Sequence, residues 1–363
     1  MVTRCAVLLL GILTAASACD KPKLKPYGFI KGDMYFATDG VHSWGQPQPT
    51  AASSATGVDS QSTAFSAAHS RFGLKGKTDV DDIEIGGRLE LDFFSTQSNT
   101  NANANPRMRL AYAWCEPVPE LEIRVGQQWD LFSPLNPTTN NTNANLWYNG
   151  NYGFRRPQFQ VRYWMDFGKV TQDIQASIGE GAKESVGIGA DNRALVPMIQ
   201  GRVGAEFVKT VDLGVSGLYT AFGAKRDHTA KGVSVDLAVA PHELLSLKGE
   251  FGYGVNLNDA NVFTIAGEQT RAGNEETVGF WVNAIGKPAE YLHLVAGFAD
   301  EMVISTVEGG EKESNLTAYG DIIFPIGKVF SLALEYQYLL TSVKGEEDPR
   351  SANVLDLAGK VVF

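Results

Sequence analysis

The sequence predicts an all-β chain, closed into a transmembrane antiparallel up-and-down β-barrel of about 16 strands with an inward-folded third loop. Three observations carry that expectation. No stretch after residue 18 supplies the roughly 18 consecutive apolar residues of a spanning helix, and mean hydropathy over the 363 residues is only -0.13. Segments of about ten residues, the length a tilted strand needs to cross a bilayer, alternate apolar with polar side chains. Long polar connections alternate strictly with short ones, as in a meander with one elaborated end and one plain end. A soluble sandwich with a wet outer face is the alternative fold.

The chain opens with a secretory signal over residues 1–18, which leaves residues 19–363 as the barrel domain. Arg4 gives a basic start, Ala6 to Leu13 an apolar core, and Ala16, Ser17 and Ala18 a small-residue cleavage pattern. Cleavage there places Cys19 first, so Cys19 is lipidated, a separate thiol, or bridged to Cys115.

The strands follow in order. Residues 26–37 alternate, then a polar loop runs to about Thr63. Residues 64–77 form the next strand and turn tightly at 78–82. Residues 83–94 place Ile83, Ile85, Leu89, Leu91 and Phe93 on one face and Glu84, Arg88, Glu90 and Asp92 on the other. After an Asn-rich loop at 95–106, residues 107–116 return through the turn at 117–119. Later short turns are expected at 168–169, 209–210, 241–242, 287–288 and 325–328, and longer loops near 181–195, 222–231, 255–274, 300–314 and 341–351. Apolar faces such as Val233, Val235, Leu237 and Val239, or Phe330, Leu332, Leu334, Tyr336 and Tyr338, suit lipid, and strand-end Tyr and Trp suit interfacial girdles.

The organising stretch is residues 126–164. Its leading strand sets Leu121, Ile123, Val125, Trp129 and Leu131 against Glu122, Arg124, Gln128 and Asp130; its trailing strand sets Phe159, Val161, Tyr163 and Met165 against Arg156, Gln158, Gln160, Arg162 and Trp164. About twenty Asn-, Thr-, Pro- and Gly-rich residues separate them, a length that marks a functional loop. Folded into the lumen, that loop would narrow it.

Charge then suggests what passes. The first half of the chain is rich in arginine on its polar faces, and the second half carries Asp212, Asp236, Glu250, Asp321, Glu335 and Asp356. Leu131 to Phe154 contains no charged residue. A basic row opposite a neutral wall raises the local anion concentration, and the planar guanidinium fork suits carboxylates. Arg71, Arg88, Arg109 and Arg124, near mid-strand on adjacent strands, are the pore-lining candidates, the competing reading being arginines paired with neighbouring carboxylates.

The segments YGFIKGDMYF, SRFGLKGKT, ELDFF, MRLAYA, VGQQWDLF and RRPQFQVRYW, in this order, resemble the DcaP-like family of trimeric bacterial outer-membrane porins. The resemblance is densest over residues 27–165. It implies a sixteen-stranded outer-membrane barrel, a homotrimer, and permeation of small anions such as dicarboxylates. It places the eyelet arginines among Arg71, Arg88, Arg109, Arg124, Arg156 and Arg162. The chain departs in leading from Lys21 to Pro26 straight into the first strand, without the N-terminal coiled coil of some members.

The C-terminal segment NVLDLAGKVVF puts Leu355, Leu357, Val361 and Phe363 on the lipid face. It resembles the last strand of bacterial outer-membrane barrels, in which a terminal Phe belongs to the signal read by the assembly machinery. No cofactor, metal site or nucleic-acid partner is expected of this chain, whose net charge is -10. Five histidines (His42, His69, His228, His242 and His293) offer one tempting cluster, His69 with Ser70 and Arg71, which lacks an orienting partner, so no enzyme is expected. The sequon at Asn140, Asn141 and Thr142 carries no meaning in a bacterium without the machinery. Two rivals remain: a channel for uncharged or aromatic solutes along Phe94, Phe132, Trp147, Tyr148, Tyr152 and Trp164, and a surface adhesin barrel.

Overall fold

The computed structural model describes residues 23–43, 46–49, 61–94, 105–141, 146–181, 194–222, 228–265, 274–305 and 312–363. Expectations for the signal at 1–18, for Cys19 and its bridge to Cys115, and for most of the loops at 95–106 and 181–195 lie outside those residues.

Sixteen staves form one closed antiparallel sheet. They are β1 (Lys23–Ala37), β2 (Ser62–Ser66 and Arg71–Val80), β3 (Ile83–Asp92), β4 (Arg107–Val118), β5 (Leu121–Trp129), β6 (Arg155–Asp166), β7 (Val170–Gly179) and β8 (Ala194–Phe207). The second half comprises β9 (Val211–Phe222), β10 (His228–His242), β11 (Leu245–Val255), β12 (Glu276–Ala289), β13 (Leu292–Val303), β14 (Lys312–Ile326), β15 (Phe330–Val343) and β16 (Arg350–Val362). Each stave pairs with the next, and β1 closes on β16 with Phe29 opposite Val362 and Ala37 opposite Val354. A closed sheet leaves no unpaired backbone edge, the condition for strands to sit in hydrocarbon. A short hairpin, Val41–Ser43 with Gln46–Pro49, stands in the first long loop.

Side-chain alternation then fixes two surfaces. Val233, Val235 and Leu237, like Leu332, Leu334, Tyr336 and Tyr338 and like Leu355, Leu357, Val361 and Phe363, are exposed on the outside. Their neighbours Ser234, Asp236, Glu335, Gln337 and Asp356 are buried inside. An apolar outside around a polar inside is the arrangement of a transmembrane barrel. The faces expected for β3, β5 and β6 are the faces found, except that Leu131 leaves the sheet and is buried within the barrel.

Several boundaries differ from expectation. The segment at 64–77 is interrupted at residues 67–70, where His69 turns inward to face Asp33 and Tyr35 and to stack on Phe94. Ser70 repairs the gap, its hydroxyl bonding both N–H and C=O of Lys31. The tight turns of β10–β11 and β12–β13 fall after His242 and Ala289, later than Pro241 and Pro288 suggest, because register shifts there carry both prolines within the strand ends. The loop after β11, expected to be plainly polar, folds inward over its described part. A 3₁₀ turn, Leu257–Ala260, buries Leu257 and Ala260, and Val262 and Ile265 follow them.

Candidate pore constriction

The third loop leaves β5 after Trp129, and its neck is stapled. Asp130 N–H donates to the Phe154 carbonyl at 2.8 Å. The Asp130 carboxylate accepts Arg156 Nε at 2.6 Å and Nη2 at 2.7 Å, with Gln200 Nε2 at 2.9 Å. Arg156 Nη1 donates to the carbonyls of Glu180 and Ala260, so one guanidinium ties the neck to the inward loop after β11.

From there the loop runs along the inner wall and meets one stave after another. Leu131 and Phe132 N–H donate to Gln200 Oε1 on β8, each at 3.0 Å, and Ser133 N–H donates to Ser216 Oγ on β9. Ser133 Oγ and Leu135 N–H both donate to Glu250 on β11. Thr138 N–H reaches Asn283 on β12, and its carbonyl accepts Tyr319 O–H from β14 at 2.9 Å. Asn140 N–H donates to Glu335 Oε2 on β15 at 2.5 Å, its side chain donates to Asp356 Oδ2 on β16 at 2.8 Å, and its carbonyl accepts Lys31 Nζ from β1 at 2.6 Å. On the return limb Gly150 N–H donates to Glu301 on β13. The acids of the second half of the chain are thereby acceptors for the loop backbone. Buried carboxylates need such donors.

Apolar contacts complete the seat. Phe132 and Tyr152 join Met198, Leu218, Phe222, Leu257 and Val262 in one cluster, and Leu146 joins Trp281, Val295 and Tyr319 in another. Inward glycines make the space: a Cβ on Gly252 or Gly279 would stand 2.7 or 2.6 Å from Tyr152, and one on Gly232 3.0 Å from Phe132. Phe132, Trp147 and Tyr152 are therefore packing residues, each almost fully buried, and offer no open aromatic track.

The inner face of β2–β6 carries most of the arginines. Arg71, Arg88, Arg107 and Arg109 converge on two carboxylates. Glu90 meets Arg109 at 2.9 Å, Arg88 at 3.0 Å and Arg71 at 3.6 Å; Asp92 meets Arg107 at 2.7 Å and Arg109 at 2.9 Å. Four guanidiniums over two carboxylates leave two positive charges in excess. Arg155, on β6, adds another close by; its guanidinium lies 4.9 Å from the centre of the Trp129 ring and 5.0 Å from that of Phe154, near enough to Arg107 and Arg109 for their charges to oppose. Lower on the wall Arg124 pairs with Glu122 at 2.7 Å and Arg162 approaches Asp173 at 3.7 Å.

The six sequence-predicted arginines divide accordingly. Arg71, Arg88, Arg124 and Arg162 keep 22, 33, 34 and 44 % of their side-chain surface exposed. Arg109 and Arg156 keep 2 and 1 %, with their donors spent on Glu90, Asp92 and Asp130. Arg107 and Arg155 belong with the first cluster and were not among the six. Arg107 is a strand-end arginine on the same face as Arg109, whereas Arg155 is out of phase with Arg156 and had no periodic signal. Aromatic rings hold these cations to the wall without cancelling charge: Phe29 lies under Arg71 at 5.3 Å, Tyr27 under Arg88 at 5.0 Å, Phe94 under Arg107 at 5.5 Å and Tyr112 under Arg124 at 5.6 Å. His69 and Ser70 form no catalytic pair, since Ser70 spends its hydroxyl on the Lys31 backbone and His69 Nδ1 faces Asp33 and Tyr35.

A closed sixteen-stave barrel with a third loop pinned inside it has known counterparts. The fold is that of the outer-membrane porins. The barrel is similar to the crystal structure of the outer membrane channel DcaP of Acinetobacter baumannii, with TM-score 0.74 and 19% identity over 94% of this chain and 97% of that one. It is similar also to an anion-selective porin from Comamonas acidovorans, with TM-score 0.63 and 11% identity over 94% and 100% of the two chains. Against OmpF of Salmonella typhi in complex with daunomycin the TM-score is 0.64 and the identity 14%, over 94% and 98%. No protein-family model matches the sequence, and no curated protein does. The porin fold thus accounts for the whole described barrel.

Proposed function

We propose that this chain is an outer-membrane porin, a passive diffusion channel that favours small anions such as dicarboxylates and works as a homotrimer. The observation that carries the reading is the unequal sharing at Glu90 and Asp92, where four guanidiniums meet two carboxylates and three of them, Arg71, Arg88 and Arg107, keep part of their surface open. A charge excess in a narrow lumen with low-dielectric walls concentrates counter-ions. Loop 3 does not cancel it, because residues 131–154 are uncharged and its backbone donors go to the acids of the second half of the chain. Two of the similar structures, described as an outer membrane channel and an anion-selective porin, support the reading, and the trimer form of Vibrio cholerae OmpT supports the oligomer. The exposure of Phe363 at the barrel end, with its backbone bonded to Gly28, supports its proposed role as a mark read by the assembly machinery. The test is the reversal potential of the purified protein in a planar bilayer under a salt gradient, repeated with succinate. Anion preference with interruption of the current by succinate is expected; cation preference, or no channel, overturns it.

A further inference from the structure

Arg155 is a cation held among rings and away from any acid. It opens β6 where the chain leaves the third loop, and only 5 % of its surface is exposed. Its guanidinium lies 4.9 Å from the centre of the Trp129 ring, 5.0 Å from that of Phe154 and 5.8 Å from that of Trp147. Among the described residues no carboxylate pairs with it, and its Nη1 has no hydrogen-bond partner. The acids at hand are spent. Both oxygens of Asp92 hold Arg107, one of them Arg109 as well, and both oxygens of Asp130 hold Arg156. Arg107 and Arg109 add like charge beside it.

Aromatic faces ease the burial of a guanidinium, but they do not replace acceptors for its N–H groups. Arginine keeps its charge in proteins, so an anion from outside relieves the cost of enclosing it unpaired. The planar fork fits a carboxylate. The surroundings then say which carboxylate. Trp129, Phe154 and Phe263 are half-buried, so part of each ring stays open beside Arg155. Phe263, from the inward loop after β11, packs on Phe154 at 4.5 Å and on Trp147 at 5.3 Å, closing the cluster from a second loop. One guanidinium set among rings suits one carboxylate on an apolar body. A second carboxylate would meet donors of Arg107 and Arg109 already committed to Glu90 and Asp92, and would lose its water against the rings.

We propose that Arg155 forms an anion subsite separate from the cluster on Glu90 and Asp92, and that it takes a short apolar monocarboxylate whose hydrocarbon lies on Trp129, Phe154 and Phe263. The subsite deepens the channel reading above and rests on it only for the onward passage of the solute.

The experiment titrates the full-length barrel in detergent with acetate, propionate, butyrate or succinate at constant ionic strength, chloride making up the balance. It follows tryptophan emission, since Trp129 and Trp147 flank the site. Saturable changes are expected with the three monocarboxylates, tightening about fourfold for each methylene buried. Succinate, with the four carbons of butyrate and a second charge, is expected to bind more weakly than butyrate. Arg155→Lys keeps the charge without the fork and should raise the half-saturating butyrate concentration about tenfold. Phe154→Ala keeps the fork and removes one ring, so acetate should bind as in wild type while the advantage of butyrate over acetate shrinks. Lys328→Gln, in the exposed turn after β14, should titrate as wild type. No saturable change, succinate tighter than butyrate, or Arg155→Lys titrating as wild type overturns the proposal. Should Arg155→Lys fail to give the heat-modifiable band of a folded barrel, Phe154→Ala decides, and a full butyrate advantage in that variant overturns the proposal. Saturable butyrate binding in a protein that carries no current refutes the channel reading and leaves the subsite standing.

Discussion

Replacing Arg71 and Arg88 together by Gln should cut anion preference severalfold while leaving the barrel intact. The two are the partly exposed members of the cluster on Glu90, and their removal takes the charge excess there from two to zero. At about 8 Å in water a unit charge is worth about 0.5 kcal/mol, and screening at 0.1 M salt leaves a little under half of that. Two surplus charges therefore separate an anion from a cation by about 1 kcal/mol, a permeability ratio of about five. The assay is the reversal potential under a tenfold gradient of a symmetrical salt, wild type beside the double variant. Arg155 stays in both proteins, so the ratio should fall about fivefold on loss of the two charges. Arg109 stays to pair with Glu90 and Asp92, so the variant keeps its buried salt bridges and should show unchanged heat-modifiable migration. An undiminished ratio in the double variant would refute the argument that the cluster on Glu90 and Asp92 sets selectivity.

Asp130→Asn removes the carboxylate that holds the loop neck and strands Arg156; losing one partner of a buried pair costs about 3–5 kcal/mol. The expected outcome is a lower unfolding temperature together with larger and noisier conductance steps. Gly150→Ala places a Cβ 2.4 Å from Phe280 N at φ +87, adding about 1 kcal/mol of backbone strain to a clash, and should lift the return limb of loop 3 from β12. Gly345→Ala, at φ +82 with nothing within 4 Å, is the control that should leave conductance alone. An uncharged oligosaccharide should fail to interrupt the current, because Phe132, Trp147 and Tyr152 are buried; blockage at low concentration would revive the aromatic-track reading.

Period-two alternation was enough to find the staves and sort their faces, because a one-residue slip would move every apolar side chain inside. It also isolated the third loop, since residues 131–154 share neither period nor charge. Alternation carries no information about pairing across the lumen. Arg71 and Arg109 read alike in sequence, yet one keeps part of its surface and the other is enclosed by Glu90 and Asp92, a difference set by side chains on neighbouring staves. The inward loop after β11 did leave a trace. Leu257, Ala260, Val262, Phe263 and Ile265 are too apolar for a water-exposed connection, and four of them are buried.

The neutrality of loop 3 follows from what it binds. A loop that supplied its own carboxylates would have met Glu250, Glu301, Glu335 and Asp356 on the wall and repelled them; one that supplied lysines would have paired with them and required exact side-chain placement at each stave. Backbone N–H groups carry no net charge, recur at every residue except proline, and reach acids on β11, β13 and β15 from one continuous chain. The acids of the second half of the chain are therefore spent on architecture, which is why the net charge of -10 says little about what the lumen selects. What remains to act on a solute is the opposite wall, where arginine exceeds its carboxylates. Selectivity on this account is a difference between two walls built from one alternating sequence, one wall quenched by a loop and the other left partly open.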